Sequence, residues 1–270
     1  MSGRITLGMG LAIVALLVGA ALLSLVWTPY DVEAIDVGAR LLPFSGAHWL
    51  GTDQLGRDMA SMILVGARAS LAVSLFAVGG AMLVGVPIGL TAAARPGLLD
   101  EILMRSGDVI FAFPSLMLAI LLAAILGPGA SNAVLAIAIF NVPVFARVAR
   151  GGARGLWTRD FVLAARLAAK GKARISIEHI LPNIAALIVV QATIQFSLAL
   201  IAEAGLSYVG LGVQPPMPSW GRMLADAQTL IGTTPRLAIV PGLAILLAVL
   251  GFTLVGDGLR DRMDRRNPGA

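Results

Sequence analysis

Gln191 and Gln195 stand four residues apart in an apolar stretch, so a helix would bring both amides to one face. Such a face either lines a polar path and hydrogen-bonds what passes, or holds neighbouring helices together. Two carboxylates, Asp108 and Glu203, sit at the ends of apolar stretches. At membrane depth a carboxylate marks a functional position by default, unless it is wet or paired with an arginine. His48 and His179 are the only histidines, and neither has partners at metal-ligand spacing. Cysteine is absent, which excludes disulfides and thiolate metal sites. There is no GxxxxGK[ST] loop to cradle a nucleotide's phosphates, and no HExxH. Ser115 and Ser219 have no histidine at a suggestive place. The sequence thus points to a non-catalytic chain with no metal site and no cofactor of its own.

A different pattern fills residues 151–183. It contains Thr158-Arg159-Asp160-Phe161-Val162-Leu163-Ala164-Ala165-Arg166-Leu167-Ala168-Ala169-Lys170-Gly171. Thr158 or Asp160 suits an N-cap and Gly171 a C′ position, so a short helix is expected over 160–170. Ala164, Ala165, Ala168 and Ala169 would give it a small-residue side on which another protein can seat closely. Arg166 and Lys170 would flank that side and pair with acidic groups. An ordinary amphipathic surface helix is the alternative. Pro182 favours a break before the next apolar stretch.

The elements that must position these residues are membrane spans. Apolar residues make up 58% of the chain and charged residues 13%, so it lacks the polar shell of a soluble domain of 270 residues. Mean hydropathy is +0.89. At about 20 residues per span, an all-α polytopic protein with six transmembrane helices is expected, near 7–27, 71–93, 102–126, 132–148, 184–204 and 237–255. The first run is long for a signal peptide and lacks a small-residue cleavage site before Thr28-Pro29-Tyr30, so it reads as a retained span. A short surface helix is expected over 59–67. Gly80, Gly85 and Gly89 lie in the second span, the last two at the spacing that lets helices approach closely.

Of the 20 lysines and arginines, only Arg40, Arg57, Arg68, Arg222 and Arg236 fall on one side of this arrangement. The other fifteen share the opposite side with both termini, which the positive-inside rule makes cytoplasmic. The pI near 10.6 is thus a topology signal and not a nucleic-acid-binding face.

Several blocks together resemble one family. Residues 151–183 resemble the EAA loop of ATP-binding cassette (ABC) importer permeases, the short helix that docks on the nucleotide-binding subunit. Gly51-Thr52-Asp53-Gln54-Leu55-Gly56-Arg57-Asp58 resembles the periplasmic signature of the C-type permeases of dipeptide, oligopeptide and nickel importers. Asp108-Val109-Ile110-Phe111-Ala112-Phe113-Pro114-Ser115 is similar to their third-span pattern. Glu203-Ala204-Gly205-Leu206-Ser207-Tyr208-Val209-Gly210-Leu211-Gly212 and Pro218-Ser219-Trp220-Gly221 resemble the stretch after their fifth span, and Gly256-Asp257-Gly258-Leu259-Arg260-Asp261 is similar to their C-terminal signature. Inside the EAA loop the chain departs from the pattern, with Leu163 at the usual Glu position and Ala169 at the usual Gly.

The resemblance implies a type I ABC importer permease (MetI-like) fold in the bacterial cytoplasmic membrane. Residues 1–67 would form the first span plus a periplasmic segment, 68–257 the permease domain with coupling loop 151–183, and 258–270 a cytoplasmic tail. A second homologous permease, two cytoplasmic ABC ATPases that bind ATP and Mg, and an extracytoplasmic substrate-binding protein are the implied partners. The ATPase would seat on Asp160, Leu163, Ala164, Ala165, Arg166, Ala168, Ala169 and Lys170. Gln191, Gln195 and Glu203 are candidates for the translocation path; Asp53, Arg57 and Trp220 are candidates for binding-protein contact. The implied cargo is a di- or oligopeptide, with nickel or a nickel chelate as the alternative. An intramembrane enzyme would need a reactive pair within a span, and a secondary transporter an inverted repeat; neither is visible.

Overall fold

A segment at membrane depth must satisfy its own backbone N–H and C=O groups, and an open chain does so only as a helix. The computed structural model describes residues 3–266 and contains, among them, ten α-helices and one isolated bridge between Thr52 and Asp58. The helices are α1 (Gly3–Leu23), α2 (Met59–Ala94), α3 (Leu98–Phe111), α4 (Ser115–Leu126) and α5 (Ala130–Arg154), then α6 (Asp160–Leu167), α7 (Lys172–Ile175), α8 (Leu181–Tyr208), α9 (Trp220–Ala227) and α10 (Arg236–Arg266). Five stretches are long and apolar enough to cross a bilayer: α1, α2, α5 with the turn after it, the run Lys172–Tyr208, and α10. Of the tail expected over 258–270, residues up to 266 continue α10, and 267–270 lie outside the described residues.

Three expectations about the spans are corrected. The surface helix over 59–67 and the second span are one helix, α2, so the boundary expected at 67/68 falls inside it. Asp58 caps this helix, its Oδ2 accepting from the Ser61 N–H and hydroxyl at 2.8 Å each, and no proline between Met59 and Leu71 removes a backbone donor. Its 36 residues extend to about 54 Å at 1.5 Å per residue, well beyond a hydrocarbon core of about 30 Å.

The third span is broken: α3 and α4 meet at 87° across Ala112-Phe113-Pro114. Proline's locked φ and missing N–H disfavour continuation there. The pair makes a sixth crossing only if the two arms count as one span. Pro182, by contrast, breaks nothing. A π-turn over Ser176–Ile180 precedes it, with the Leu181 N–H donating to the Ser176 carbonyl, and this wider turn leaves room for the ring within the continuous run Lys172–Tyr208.

Small residues set the packing. Gly85 and Gly89 of α2 lie against Val142, Phe145, Ala146 and Ala149 of α5, so the two backbones nearly touch. On the opposite edge of the bundle, Gly10 of α1 meets Leu254 and Val255 of α10 in the same way. Between α1 and α2 the chain is irregular and folded back on itself. Arg236 at the start of α10 reaches over to donate to the Leu41 carbonyl at 2.7 Å, and Arg40 Nε donates to the Gln54 carbonyl at 2.6 Å.

Candidate functional site

The EAA-like segment leaves α5 through a single 3-10 turn, Gly155–Thr158, and forms α6. Neither Thr158 nor Asp160 is the N-cap. Arg159 takes that position without a side-chain bond, Thr158 donates to the Gly155 carbonyl instead, and Asp160 opens the first turn, where a carboxylate suits the helix dipole. Val162 and Ala165 are buried against the chain itself, so the expected all-alanine docking side is corrected. The outward face carries Phe161, Ala164, Leu167 and Ala168, and Leu167 is 90% exposed. Leu163 and Arg166 wall a cleft of about 540 Å³, together with Asp100, Arg154 and Trp157. The Arg166 guanidinium lies 5.3 Å from the centre of the Trp157 ring. Lys170 is engaged within the chain: its Nζ donates to Glu178 Oε2 at 2.6 Å and lies 3.0 Å from His179 Nε2.

The C′ position falls two residues before the expected glycine. Ala169 occupies C′ with φ of +56°, its N–H donating to the Arg166 carbonyl at 2.9 Å, while the Lys170 N–H donates to Ala165 at 3.1 Å. These two bonds are a Schellman motif, which glycine normally completes because a Cβ is disfavoured at positive φ. Gly171, at φ of −70°, has an ordinary conformation. Ala169→Gly is therefore expected to stabilise this turn by about 1 kcal/mol, read as slower amide exchange at Lys170 in the purified protein.

At membrane depth a second feature opens. A cavity of about 290 Å³ lies between α4, α5 and α8, walled by Leu116, Phe140, Asn141, Gln195, Leu198 and Ala202 among others. Gln195 is 4% exposed, and its amide has no hydrogen-bond partner among the described residues. Gln191 is half-buried but does not wall the cavity. Glu203 also stands outside it, at 0% exposure. Its Oε1 accepts from Ser207 Oγ of the same helix at 2.7 Å and its Oε2 has no partner among the described residues, with the Ser70 and Ser219 hydroxyls nearby on α2 and at the cap of α9.

At the end of the bundle where α2 begins, the candidates form a closed arrangement. Asp53 is buried, with Oδ1 accepting from the Leu55 and Arg57 N–H groups and Oδ2 held by Arg57 Nε at 2.7 Å. Arg57 also reaches Asp226 of α9 at 3.6 Å. Trp220 is 0% exposed, with its indole N–H donating to the Ile63 carbonyl at 3.2 Å. A side chain so enclosed touches no docked protein, which corrects its expected role as a contact.

Residues 85–267 match the family described as the binding-protein-dependent transport system inner membrane component. Over 255 residues the chain is 43% identical to the dipeptide transport system permease protein DppC of Alkalihalophilus pseudofirmus, covering 94% of this chain and 84% of that protein. The chain belongs to this permease family. It is also 45% identical over 252 residues to the glutathione transport system permease protein GsiD of Pectobacterium atrosepticum, covering 93% and 84%. Its fold is that of the inward-facing MetNI methionine ABC transporter, at a TM-score of 0.62 and 19% identity, covering 77% of this chain and 97% of that one. The permease is accordingly a multi-pass inner-membrane protein and a non-catalytic subunit of a binding-protein-dependent ABC system.

Two features of the permease were not drawn from the sequence as site elements. Asp100 at the start of α3 accepts both Nε and Nη2 of Arg150 near the end of α5, tying the first turn to the helix that delivers α6. Asn141 lies inside the apolar run 132–148, and its place beside Gln195 depends on how α5 and α8 pack. Asp108 has the structural role left open for it: Arg147 donates to its carboxylate while lying 4.3 Å from the centre of the Phe111 ring.

Proposed function

We propose that this permease imports di- or oligopeptides across the bacterial cytoplasmic membrane, using ATP bound with Mg by partner subunits. The observation that carries the cargo is identity of 43% and 45% to permeases named for a dipeptide and for glutathione, both peptides. The bias of basic residues supports cytoplasmic termini and a cytoplasmic α6. There α6 docks one of two ABC ATPases through Phe161, Ala164, Leu167 and Ala168, and a second, homologous permease completes the membrane pathway. The transport unit runs from the start of α2 at Met59 to residue 257, with the coupling loop at 151–183. An extracytoplasmic binding protein delivers cargo to the end shaped by the Asp53–Arg57 pair.

In this mechanism ATP closes the ATPase pair, and the docked α6 moves with it. Because α6 hangs from α5 by one short turn and from α8 by α7, its displacement bears directly on the two helices that carry Asn141 and Gln195. Access to the path then alternates between the two sides. Glu203 and its serines stand where α8 meets α2 at the outer end and do not line the path. Uptake of a radiolabelled dipeptide by cells lacking this chain should fall to background and return with a plasmid copy; undiminished uptake rejects the peptide reading.

A further inference from the structure

The cavity between α4, α5 and α8 combines three properties. It lies among membrane-spanning helices, its wall contains no charged residue, and two side-chain amides meet in it. An amide buried in apolar surroundings without a partner costs a few kcal/mol. The Gln195 side chain makes no hydrogen bond among the described residues and opens on the cavity, so a molecule in the cavity supplies its hydrogen-bonding groups. Asn141 is partly satisfied: one Nδ2 N–H donates to the Ile137 carbonyl at 2.9 Å, which leaves its second N–H to donate and its Oδ1 to accept. The wall therefore offers an amide donor on α8 and an amide acceptor on α5, surrounded by Leu116, Phe140, Leu198 and Ala202. A peptide group presents the complementary pair, one carbonyl and one N–H.

We propose that this cavity is a transmembrane subsite for the uncharged middle of a small peptide, the Gln195 amide donating to its carbonyl and Asn141 Oδ1 accepting its N–H. The assignment rests on the peptide reading above and adds what the path recognises. A volume of about 290 Å³ lies at the small end of ligand pockets and suits one residue and its peptide bond. Charged cargo termini find no counter-ion here, so they lie outside this subsite. Leu116, Phe140 and Leu198 accommodate an apolar cargo side chain without selecting its shape.

The test uses the complete importer in proteoliposomes, with its second permease, ATPases and binding protein. Maximal uptake rates are compared for Ala-Ala and for alanyl-lactate, the ester in which oxygen replaces the peptide N–H. The ester keeps the carbonyl and loses the donor, and both cargoes are delivered by the same binding protein, so the change in their ratio reports on the permease. Asn141→Leu should slow Ala-Ala by about tenfold, the equivalent of one buried hydrogen bond, and leave the ester rate nearly unchanged. Gln195→Met should slow both cargoes, because both present a carbonyl. If Asn141→Leu slows both equally or neither, the amides serve helix packing or contact with the second permease, and the subsite is overturned. An unaffected Gln195→Met importer overturns it as well. No uptake of Ala-Ala by the unaltered importer would remove the peptide reading itself, and this subsite with it.

Discussion

Replacing Ala164 by tryptophan is expected to leave the permease folded in the membrane and to cut ATP-driven uptake steeply. Ala164 lies on the exposed face of α6 beside Phe161, Leu167 and Ala168, so an indole there meets nothing within the chain. A docked ATPase surface would have to accommodate it. Overpacking a close interface costs roughly 1–3 kcal/mol, and each ~1.4 kcal/mol is tenfold in the docking constant. Uptake should therefore fall by about ten- to a hundredfold at limiting ATPase, while the variant reaches the membrane in normal amount. Ala165 is the control that separates docking from folding. It is buried against the chain, and its carbonyl accepts the Lys170 N–H that ends α6. Ala165→Trp should lower the amount of protein as well as uptake. Full uptake by the Ala164→Trp variant, with ATP hydrolysis still coupled, would show that this face does not carry the work of the ATPase.

The contrast between these neighbours marks where sequence reasoning stops. A bilayer demands runs of about 20 apolar residues, and such runs are visible in any sequence. Five of the spans were legible for that reason. Which side of a short loop helix faces the protein was not, because Val162 and Ala165 become buried only when the turn before α6 and α7 after it fold against it. The same limit explains Pro114 and Pro182. Both follow the same local rule, yet one breaks the chain by 87° and the other sits in a continuous helix, since only the second is preceded by a π-turn. Apolar composition continues unbroken through residues 109–113 and resumes after Pro114, so the change of direction left no trace in hydropathy.

Polar residues divide along similar lines. Gln195 was found by its spacing from Gln191, but spacing on one helix cannot tell which of the two reaches a cavity whose other walls are α4 and α5. Glu203 was drawn towards the path by the general rule for intramembrane carboxylates. Its nearest hydroxyls come from Ser207 on its own helix, from Ser70 on α2 and from Ser219 ahead of α9, a set that only the folded chain assembles. Trp220 was placed outside by its resemblance to a signature on that side of the membrane. A large aromatic side chain with one N–H to satisfy is as well suited to a buried seat, and it fills one beside Ile63 and Ser70.

Glycines in α2 supply the second large expected effect. Gly80, Gly85 and Gly89 look alike in sequence, yet only two of them face another backbone. A Cβ on Gly89 would stand 2.9 Å from Ala149 Cβ and 2.9 Å from the Arg150 nitrogen and would overlap the Ala146 carbonyl oxygen. On Gly85 it would approach Phe145 Cβ at 2.8 Å, whereas on Gly80 it meets nothing within 4 Å. Because α5 presents backbone at Gly89 and not the tip of a flexible side chain, relief requires the helices to separate. Overpacking at such a site costs at least the upper part of ~1–3 kcal/mol, a large share of a total stability of about 5–15 kcal/mol. Gly89→Leu should thus cut the yield of folded permease severalfold and lower its midpoint of thermal unfolding in detergent, whereas Gly80→Leu should change neither. The damage should extend to function, since α5 holds Asn141 at the cavity, Arg150 against Asp100, and the turn from which α6 hangs. Equal tolerance of leucine at both positions would mean that α2 and α5 are not packed backbone to backbone. The route from α6 to the membrane cavity would then lose its rigid member, because a displacement passes along a helix only when that helix is held against a neighbour.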